Sequence, residues 1–347
     1  MCLFTKRIRN PKYMPNQKNG YNPPKCPHPA LMYIEVKCGI CNDCRKEKRR
    51  NWSTRIKEQL KETPNAVFFT GTLAPNRLNE LETKYNTKDK NTIAKKELRL
   101  FLERIRKETG KSVTHWVVTE LGEDNGRIHI HGIFFSNTMS VYKLRGLLWK
   151  KWTAGYKFYG KYCNARTANY ITKYMLKANA VDADFRPIVL ATKGIGKRYF
   201  NDEYNRKRHK YVPKTPLFST IESYRNEYSQ NVALPTYYRR KLWTDQEREF
   251  LMIEKWEDGT IWIKGSKYPN KTEEDQKNIF LVTKAAKIEH WKKHQESDET
   301  IEEIRKNQYA KLSLYVPPCN DDILIRHSMN IKFLYIDSYL SPFSIFK

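Results

Sequence analysis

The run Arg127-Ile128-His129-Ile130-His131-Gly132-Ile133-Phe134-Phe135 constrains this chain more than any other segment. In a strand, side chains i and i+2 stand on one face. His129 and His131 therefore project side by side, while Ile128, Ile130 and Ile133 alternate with them or cap the other face. Gly132 is expected to leave room for a ligand. Val113–Leu121 has the same β-branched and aromatic character, and Asp124-Asn125-Gly126 is a tight-turn signal, so the two runs pair as a hairpin. Glu120, at the end of the partner strand, is placed to face the histidines' side; Glu123 and Asp124 fall in the turn and read as solvated. Two imidazoles and one carboxylate leave open positions on a divalent ion, which suits Lewis-acid work on a phosphate.

The flanking patterns set the fold class. Ala66–Leu73 reads as a strand ended by Pro75-Asn76. A helix follows over 92–108, with Ile93, Leu98, Leu100, Phe101 and Ile105 as its apolar set and Gly110 as its stop. After the hairpin come a helix near 139–151, a strand at Gly155–Cys163 and a helix at Ala165–Lys177. The order β-α-β-β-α-β-α predicts an α+β domain, an antiparallel sheet with helices on one face. On the last helix Tyr170 and Tyr174 are four residues apart and share a face. Lys173 lies one turn from Tyr170 on the neighbouring stripe. Such a tyrosine pair is ordinarily packing. Beside a histidine pair it is a nucleophile candidate, because a phenol near a metal-held phosphate can attack once it is activated.

Charge bears on the partner. The chain carries 65 Lys+Arg against 38 Asp+Glu, a net charge of +27, which favours a polyanion over a protein merely kept soluble by its charge. Residues 1–50 contribute 12 Lys/Arg against 3 Asp/Glu. Within them, 1–30 reads as an irregular arm, and a basic helix begins near Asp43 with Trp52, Ile56 and Leu60 on one face. Cys38-Gly39-Ile40-Cys41-Asn42-Asp43-Cys44 brings three thiols to spacings of three. They would suit structural zinc if a fourth ligand joined, and Cys2, Cys26 and His28 are the candidates. The rival reading is reactive or packed thiols. Hydrophobic residues are 39% of the chain, enough for a core, and no apolar run approaches the length that crosses a membrane. The start lacks the apolar stretch of a signal peptide, which predicts a cytosolic chain.

Residues 178–230 mix cations with aromatics, including Lys193, Lys197, Arg198, Tyr199, Arg206 and Tyr211. That composition suits phosphates plus stacked bases, or equally a basic loop with packed tyrosines. Leu234-Pro235-Thr236 opens a helical tail, 249–263 reads as a hairpin about Asp258-Gly259, and 272–295 and 299–313 read as charged helices. The apolar end, 323–347, has no functional reading.

Taken together, these motifs resemble the HUH superfamily of single-strand DNA endonucleases, and within it the rolling-circle replication initiators of microviruses, small single-stranded DNA phages. Phe68-Phe69-Thr70-Gly71-Thr72-Leu73 looks like the first motif of that family, with Gly71 interrupting its usual Thr-hydrophobic-Thr pattern. Arg127–Gly132 matches the His-hydrophobic-His motif, and Tyr170-Ile171-Thr172-Lys173-Tyr174 matches the two-tyrosine helix. Gly194–Tyr199, the start Met1-Cys2-Leu3 and the cysteine cluster are similar to segments of such initiators, so the resemblance covers roughly 1–245. It implies a ferredoxin-like nuclease domain over 63–200, preceded by a basic arm, cysteine cluster and helix over 1–62, and followed by a mostly helical accessory region over 201–347.

The resemblance further implies a nicking and rejoining enzyme. Mg2+ or Mn2+ would sit on His129, His131 and Glu120, Tyr170 and Tyr174 would be the nucleophiles, and Lys173 would position a phosphate or orient the ion. Arg127, Lys177, Lys197 and Arg198 are the candidates to hold DNA; apart from the resemblance, the thiol spacing would put structural zinc on Cys38, Cys41, Cys44 and a fourth ligand such as Cys2. The implied partners are single-stranded DNA and duplex replicative-form origin DNA, with host helicase, single-strand binding protein and polymerase, in the cytoplasm of a bacterial host and without a membrane. No complete nucleotide-binding loop, Gly-x-x-x-x-Gly-Lys followed by Ser or Thr, is present (Gly155–Lys161 has the spacing but runs on into Tyr162), so unwinding falls to the host. The competing readings are an HUH transposase or relaxase, and a non-catalytic nucleic-acid-binding module on a similar sheet.

Overall fold

The computed structural model describes Cys2 and residues 5–259, apart from 40, 123–125, 160–162 and 176–184, together with a hairpin within 261–268 and isolated positions up to 285. Residues 1–284 form one compact unit.

The chain opens with β1 (Lys6–Arg9), which pairs with β2 (Tyr33–Val36). This hairpin lies in the arm expected to be irregular; the pairing joins segments 24 or more residues apart and leaves no local periodic signal. Helix α1 (Asn42–Glu62) matches the expected basic helix, with Ile56 fully buried and Trp52 and Leu60 packed beside it. Strand β3 (Ala66–Thr72) leads into α2 (Pro75–Tyr85), where Pro75 occupies the first helical turn. Pro75, expected only to end the strand, also opens this helix: a proline at a helix start costs no hydrogen bond there and is a usable signal. Next come α3 (Lys90–Thr109), β4 (Thr114–Leu121), β5 (Ile128–Phe135), α4 (Val141–Lys151), β6 (Lys157–Tyr159) and α5 (Ala165–Ile171). Strand β7 (Val189–Ala191), which the sequence pattern does not announce, follows.

The five strands β3–β7 make one antiparallel sheet in the order β6-β3-β5-β4-β7. The four expected strands thus lie fourth-first-third-second, as in a ferredoxin-like βαββαβ unit, and β7 extends the sheet beyond β4. Period two divides the sheet into two faces. Val67, Phe69, Val117, Ile130 and Phe134 pack under α2, α3 and α4. Phe68, Trp116, Val118, Ile133 and Phe135 pack against α1 and α5. Helices were expected on one face only. They occupy both, because each face carries a continuous apolar set that needs cover. Ile133 accordingly lies on the histidines' face, not the opposite one.

Two glycines answer to close packing. A Cβ on Gly71 would stand 2.6 Å from the Trp152 ring, so the residue that departs from the family pattern makes room for a buried indole on the far face. A Cβ on Gly132 would meet the Val117 side chain at 2.8 Å. Gly132 therefore serves the core beneath the sheet and not, as expected, the approach of a ligand.

Beyond the sheet lie α6 (Arg198–Asn201), α7 (Glu203–Arg208), β8 (Ser223–Arg225), β9 (Asn231–Ala233), α8 (Thr236–Leu242) and α9 (Asp245–Glu257). Tyr199, Tyr224, Leu234, Tyr238, Trp243 and Leu251 make their core. The arm reaches this region: Lys12 Nζ and the Tyr13 hydroxyl donate to Glu249 at 2.5 and 3.1 Å. The expected hairpin about Asp258-Gly259 is instead the end of α9, and the hairpin lies further on, pairing β10 (Ile261–Ile263) with β11 (Ser266–Tyr268). The expected helices at 272–295 and 299–313 and the apolar end fall outside the described residues, save isolated positions. No helix among the described residues is long and apolar enough to cross a membrane.

Candidate active site

The antiparallel registers of β3, β5 and β4 assemble the site. Thr72 stands opposite His129, Thr70 opposite His131, and Glu120 opposite His129. Cross-strand partners share a face. The Thr72 hydroxyl bonds His129 Nδ1 at 2.7 Å and the Thr70 hydroxyl bonds His131 Nδ1 at 3.0 Å. Each ring is thereby held with Nε2 turned away from β3. With Nδ1 engaged by a threonine hydroxyl, Nε2 is the ring nitrogen that faces the site. His131 Nε2 meets the buried Glu120 carboxylate at 2.5 Å. The two imidazoles lie 6.2 Å apart, ring centre to ring centre. A Cβ on Gly122 would touch His129 Nε2 at 2.7 Å, so that glycine keeps space for the ring.

The tyrosines close the site from above. Helix α5 runs to Ile171 and tightens into a 3-10 turn over Thr172–Met175, so the expected continuous helix changes pitch between the two tyrosines. They still converge. Tyr170 and Tyr174 hydroxyls are 2.8 Å apart, and the Tyr174 ring stacks on His131 at 4.0 Å and 3°. Burial, followed by the bond to Tyr170, pushes the Tyr174 phenol above its usual 10.0. Tyr174 thus stays protonated, and the two hydroxyls share one hydrogen bond. Tyr170 is 50% exposed and is the hydroxyl open to a substrate.

Asn169 seats this turn. Its carbonyl accepts from Arg49 at 3.3 Å and its side-chain oxygen from Ser53 at 2.7 Å, both on α1. Sequence reasoning missed Arg49, Ser53 and the two threonines, because their roles depend on residues far along the chain. The spacing of Arg49 and Ser53 by four was the one available signal.

The other expected residues are less concentrated. Lys173 is exposed on the 3-10 turn. Arg127 precedes β5, its carbonyl accepting from Gly122 N–H at 2.8 Å. Lys197 is exposed and Arg198 donates to the Lys61 carbonyl at 3.3 Å, at the end of α1. The stretch around them latches α1 to α8: Gly196 N–H donates to Gln59 at 3.1 Å, and a Cβ there would meet the Tyr238 hydroxyl at 2.6 Å and the Arg55 carbonyl at 2.7 Å. Lys177 lies outside the described residues. Tyr156 and Phe158, 71% and 62% exposed, extend the histidines' face. Phe158 is opposite Thr70, and the Tyr156 carbonyl accepts from Thr72 N–H at 2.8 Å. Lys157, between them in sequence, lies on the other face, where its Nζ donates to the Trp149 and Trp152 carbonyls at 2.7 and 3.2 Å.

Two imidazoles and a buried carboxylate make a mixed nitrogen–oxygen set suited to a divalent ion by donor chemistry, although the three do not close to within 4.8 Å of one another. A separate donor set lies elsewhere. The sulfurs of Cys2, Cys38, Cys41 and Cys44 all lie within 4.8 Å of one another, and this is the one group of three or more such donors that closes so tightly among the described residues. Cys26 and His28, the other candidates for a fourth ligand, lie apart from it. The Cys26 thiol bonds the His28 carbonyl at 3.3 Å, and His28 stands edge-on to Trp256.

The fold and this site define a sheet-borne histidine–carboxylate centre with a tyrosine pair. Residues 66–179, which contain all five of these side chains, match the model of a family of replication-associated proteins, the ORF2 type. The match supports a replication initiator. No curated protein and no solved structure matches the chain.

Proposed function

We propose that the chain is a replication initiator of the HUH type that nicks single-stranded DNA at an origin by tyrosine transesterification and rejoins the strands. One observation carries the reading: an unbroken chain of contacts from Tyr170 through Tyr174 and His131 to Glu120. A tyrosine pair that merely filled the core would have no reason to end on a histidine–carboxylate centre.

In this reading His129, His131 and Glu120 would hold Mg2+ or Mn2+, which would supply Lewis-acid polarisation of the scissile phosphate. The Tyr170 oxygen attacks phosphorus. A Tyr–O–P bond forms, the P–O3′ bond breaks, the phenol proton leaves for water, and the released oxygen takes up a proton to give a 3′-hydroxyl. As the Tyr170 oxygen gains negative charge, Tyr174 donates the hydrogen bond they share and stabilises it. Each step exchanges one phosphodiester for another, so no outside energy source is needed. Tyr174 then serves a second cut, and the free 3′-hydroxyl displaces the tyrosine to close the strand. Tyr156 and Phe158 offer ring faces to bases beside the scissile bond. Lys173, Arg127, Lys197 and Arg198 add cationic contacts. Host helicase, single-strand binding protein and polymerase complete the cycle in the bacterial cytoplasm.

The exposed aromatic row alone would equally serve a binding module without catalysis, and one experiment separates the two. The full chain is incubated with a single-stranded DNA library and Mn2+, and covalent adducts are isolated under denaturing conditions and sequenced at the 5′ junction. The adduct is expected on Tyr170, reduced in Tyr170→Phe and absent when Tyr174 is also changed to Phe. An undiminished adduct in the double variant, or none in the intact chain, would overturn the assignment.

A further inference from the structure

The cysteine quartet has no part in the chemistry just described, yet it is the tightest donor cluster among the described residues. Its sulfurs stand at 3.5 Å (Cys2–Cys38), 3.8 Å (Cys2–Cys41) and 3.9 Å (Cys38–Cys44). A tetrahedral ion with bonds of about 2.3 Å to sulfur places its ligands about 3.8 Å apart, whereas a disulfide needs about 2 Å. None of the four is joined in a disulfide. Cys2, Cys41 and Cys44 are buried, so the cluster is shielded from water.

Backbone N–H groups point at the sulfurs: Cys38 N–H donates to Cys2 Sγ and Cys41 N–H to Cys38 Sγ, both at 3.3 Å. Gly39 turns the chain between them with φ +78°, a conformation that side chains resist. Cys41 and Cys44 lie at the start of α1. Four soft thiolates in tetrahedral array select zinc over the hard ions that suit the histidine site.

The position of the cluster shows what such an ion would do. It would join residue 2, the segment after β2 and the first turn of α1. Nine residues on from Cys44, about 14 Å along the helix, Ser53 grips Asn169, the neighbour of Tyr170. We propose that Cys2, Cys38, Cys41 and Cys44 bind one zinc ion, and that this ion anchors α1 as the seat of the tyrosine turn. The second half rests on the function proposed above; the first half does not.

The test uses the full chain purified without metal-affinity resin. Elemental analysis is expected to find about one zinc per chain, retained in Cys26→Ser and Cys163→Ser and lost in Cys38→Ser and Cys44→Ser. Cobalt substitution should give the visible absorption of a tetrahedral thiolate site, a readout independent of folding yield and activity. Zinc is then released from the intact chain with a mercurial, which is removed with excess thiol, and Mn2+ is supplied throughout. Adduct formation should fall about tenfold and recover on adding zinc, and Ser53→Ala should slow it while leaving zinc content and DNA affinity unchanged. Zinc absent after reconstitution, iron in its place, or no cobalt–thiolate absorption would overturn the metal site. Unchanged adduct formation after zinc release would overturn its positioning role. A zinc-loaded chain that never forms an adduct would instead refute the proposed function and leave the zinc site standing.

Discussion

Replacing Thr72 by Val tests whether the threonines of β3 orient the histidines. Valine has nearly the shape of threonine and suits a strand, so the backbone register should survive. What is lost is the 2.7 Å bond to His129 Nδ1. Loss of a partner that orients a metal-binding histidine typically costs 10–100-fold in metal affinity, or about 1.4–2.7 kcal/mol. Thr70→Val removes the 3.0 Å bond to His131, but that ring is also clamped by Tyr174 at 4.0 Å and by Glu120 at 2.5 Å. Thr72→Val should therefore be the more damaging change. The assay is the rate of adduct formation against Mn2+ concentration, with calorimetric Mn2+ binding in parallel. The half-saturating Mn2+ should rise about tenfold or more in Thr72→Val and less in Thr70→Val, with the rate at saturation little altered. Equal, unshifted titrations in both variants would refute the idea that these hydroxyls hold the imidazoles.

Three further outcomes concern the scaffold. Glu97 is 0% exposed and takes charged hydrogen bonds from Arg77 at 2.7 Å and Arg104 at 2.6 Å, so Glu97→Ala should destabilise the chain by about 3 kcal/mol; a loss under about 1 kcal/mol in urea denaturation would count against this network. Gly71→Ala would press a methyl group against Trp152, costing about 1–3 kcal/mol by the same measure, and an unchanged midpoint would show that the indole relocates freely. Burial lowers the folded pKa of His209 below its usual 6.5, with its Nδ1–H bonded to the Ile221 carbonyl at 2.6 Å. The unfolded chain therefore takes the proton first. This contribution to stability is full above about pH 6.5 and is lost as pH falls toward the folded pKa. Urea midpoints should drop in that acidic window, and less so in His209→Gln; an identical drop in that variant would remove His209 as a cause.

Much of the site was legible because its signals are local. A strand's period of two places His129 and His131 on one face whatever surrounds it, and a spacing of four brings Tyr170 and Tyr174 together even though the helix tightens between them. Asp124-Asn125-Gly126 announces the hairpin that carries Glu120 toward the histidines. The illegible parts share a different character. Strand β7 is three residues long, and β1 and β2 are four each, too short for an alternation to stand out. The second helical face of the sheet depends on α1, whose periodicity marks it as a helix but does not say which surface it covers.

The sequence by itself determined which side chains could act: the histidine pair, the tyrosine pair, Glu120 and a thiol cluster short of one ligand. Each is encoded within a few residues, where backbone geometry alone decides which groups are neighbours. Tertiary structure decided how they are held. It brought Cys2, and not Cys26 or His28, up to the other three thiols, set Thr70 and Thr72 behind the imidazoles, laid Tyr174 flat on His131, and braced Asn169 against α1. These contacts join segments 36 to 116 residues apart. Over such separations the unfolded chain carries no preference for one pairing, and only the cooperative packing of a two-faced sheet selects the register that makes them neighbours.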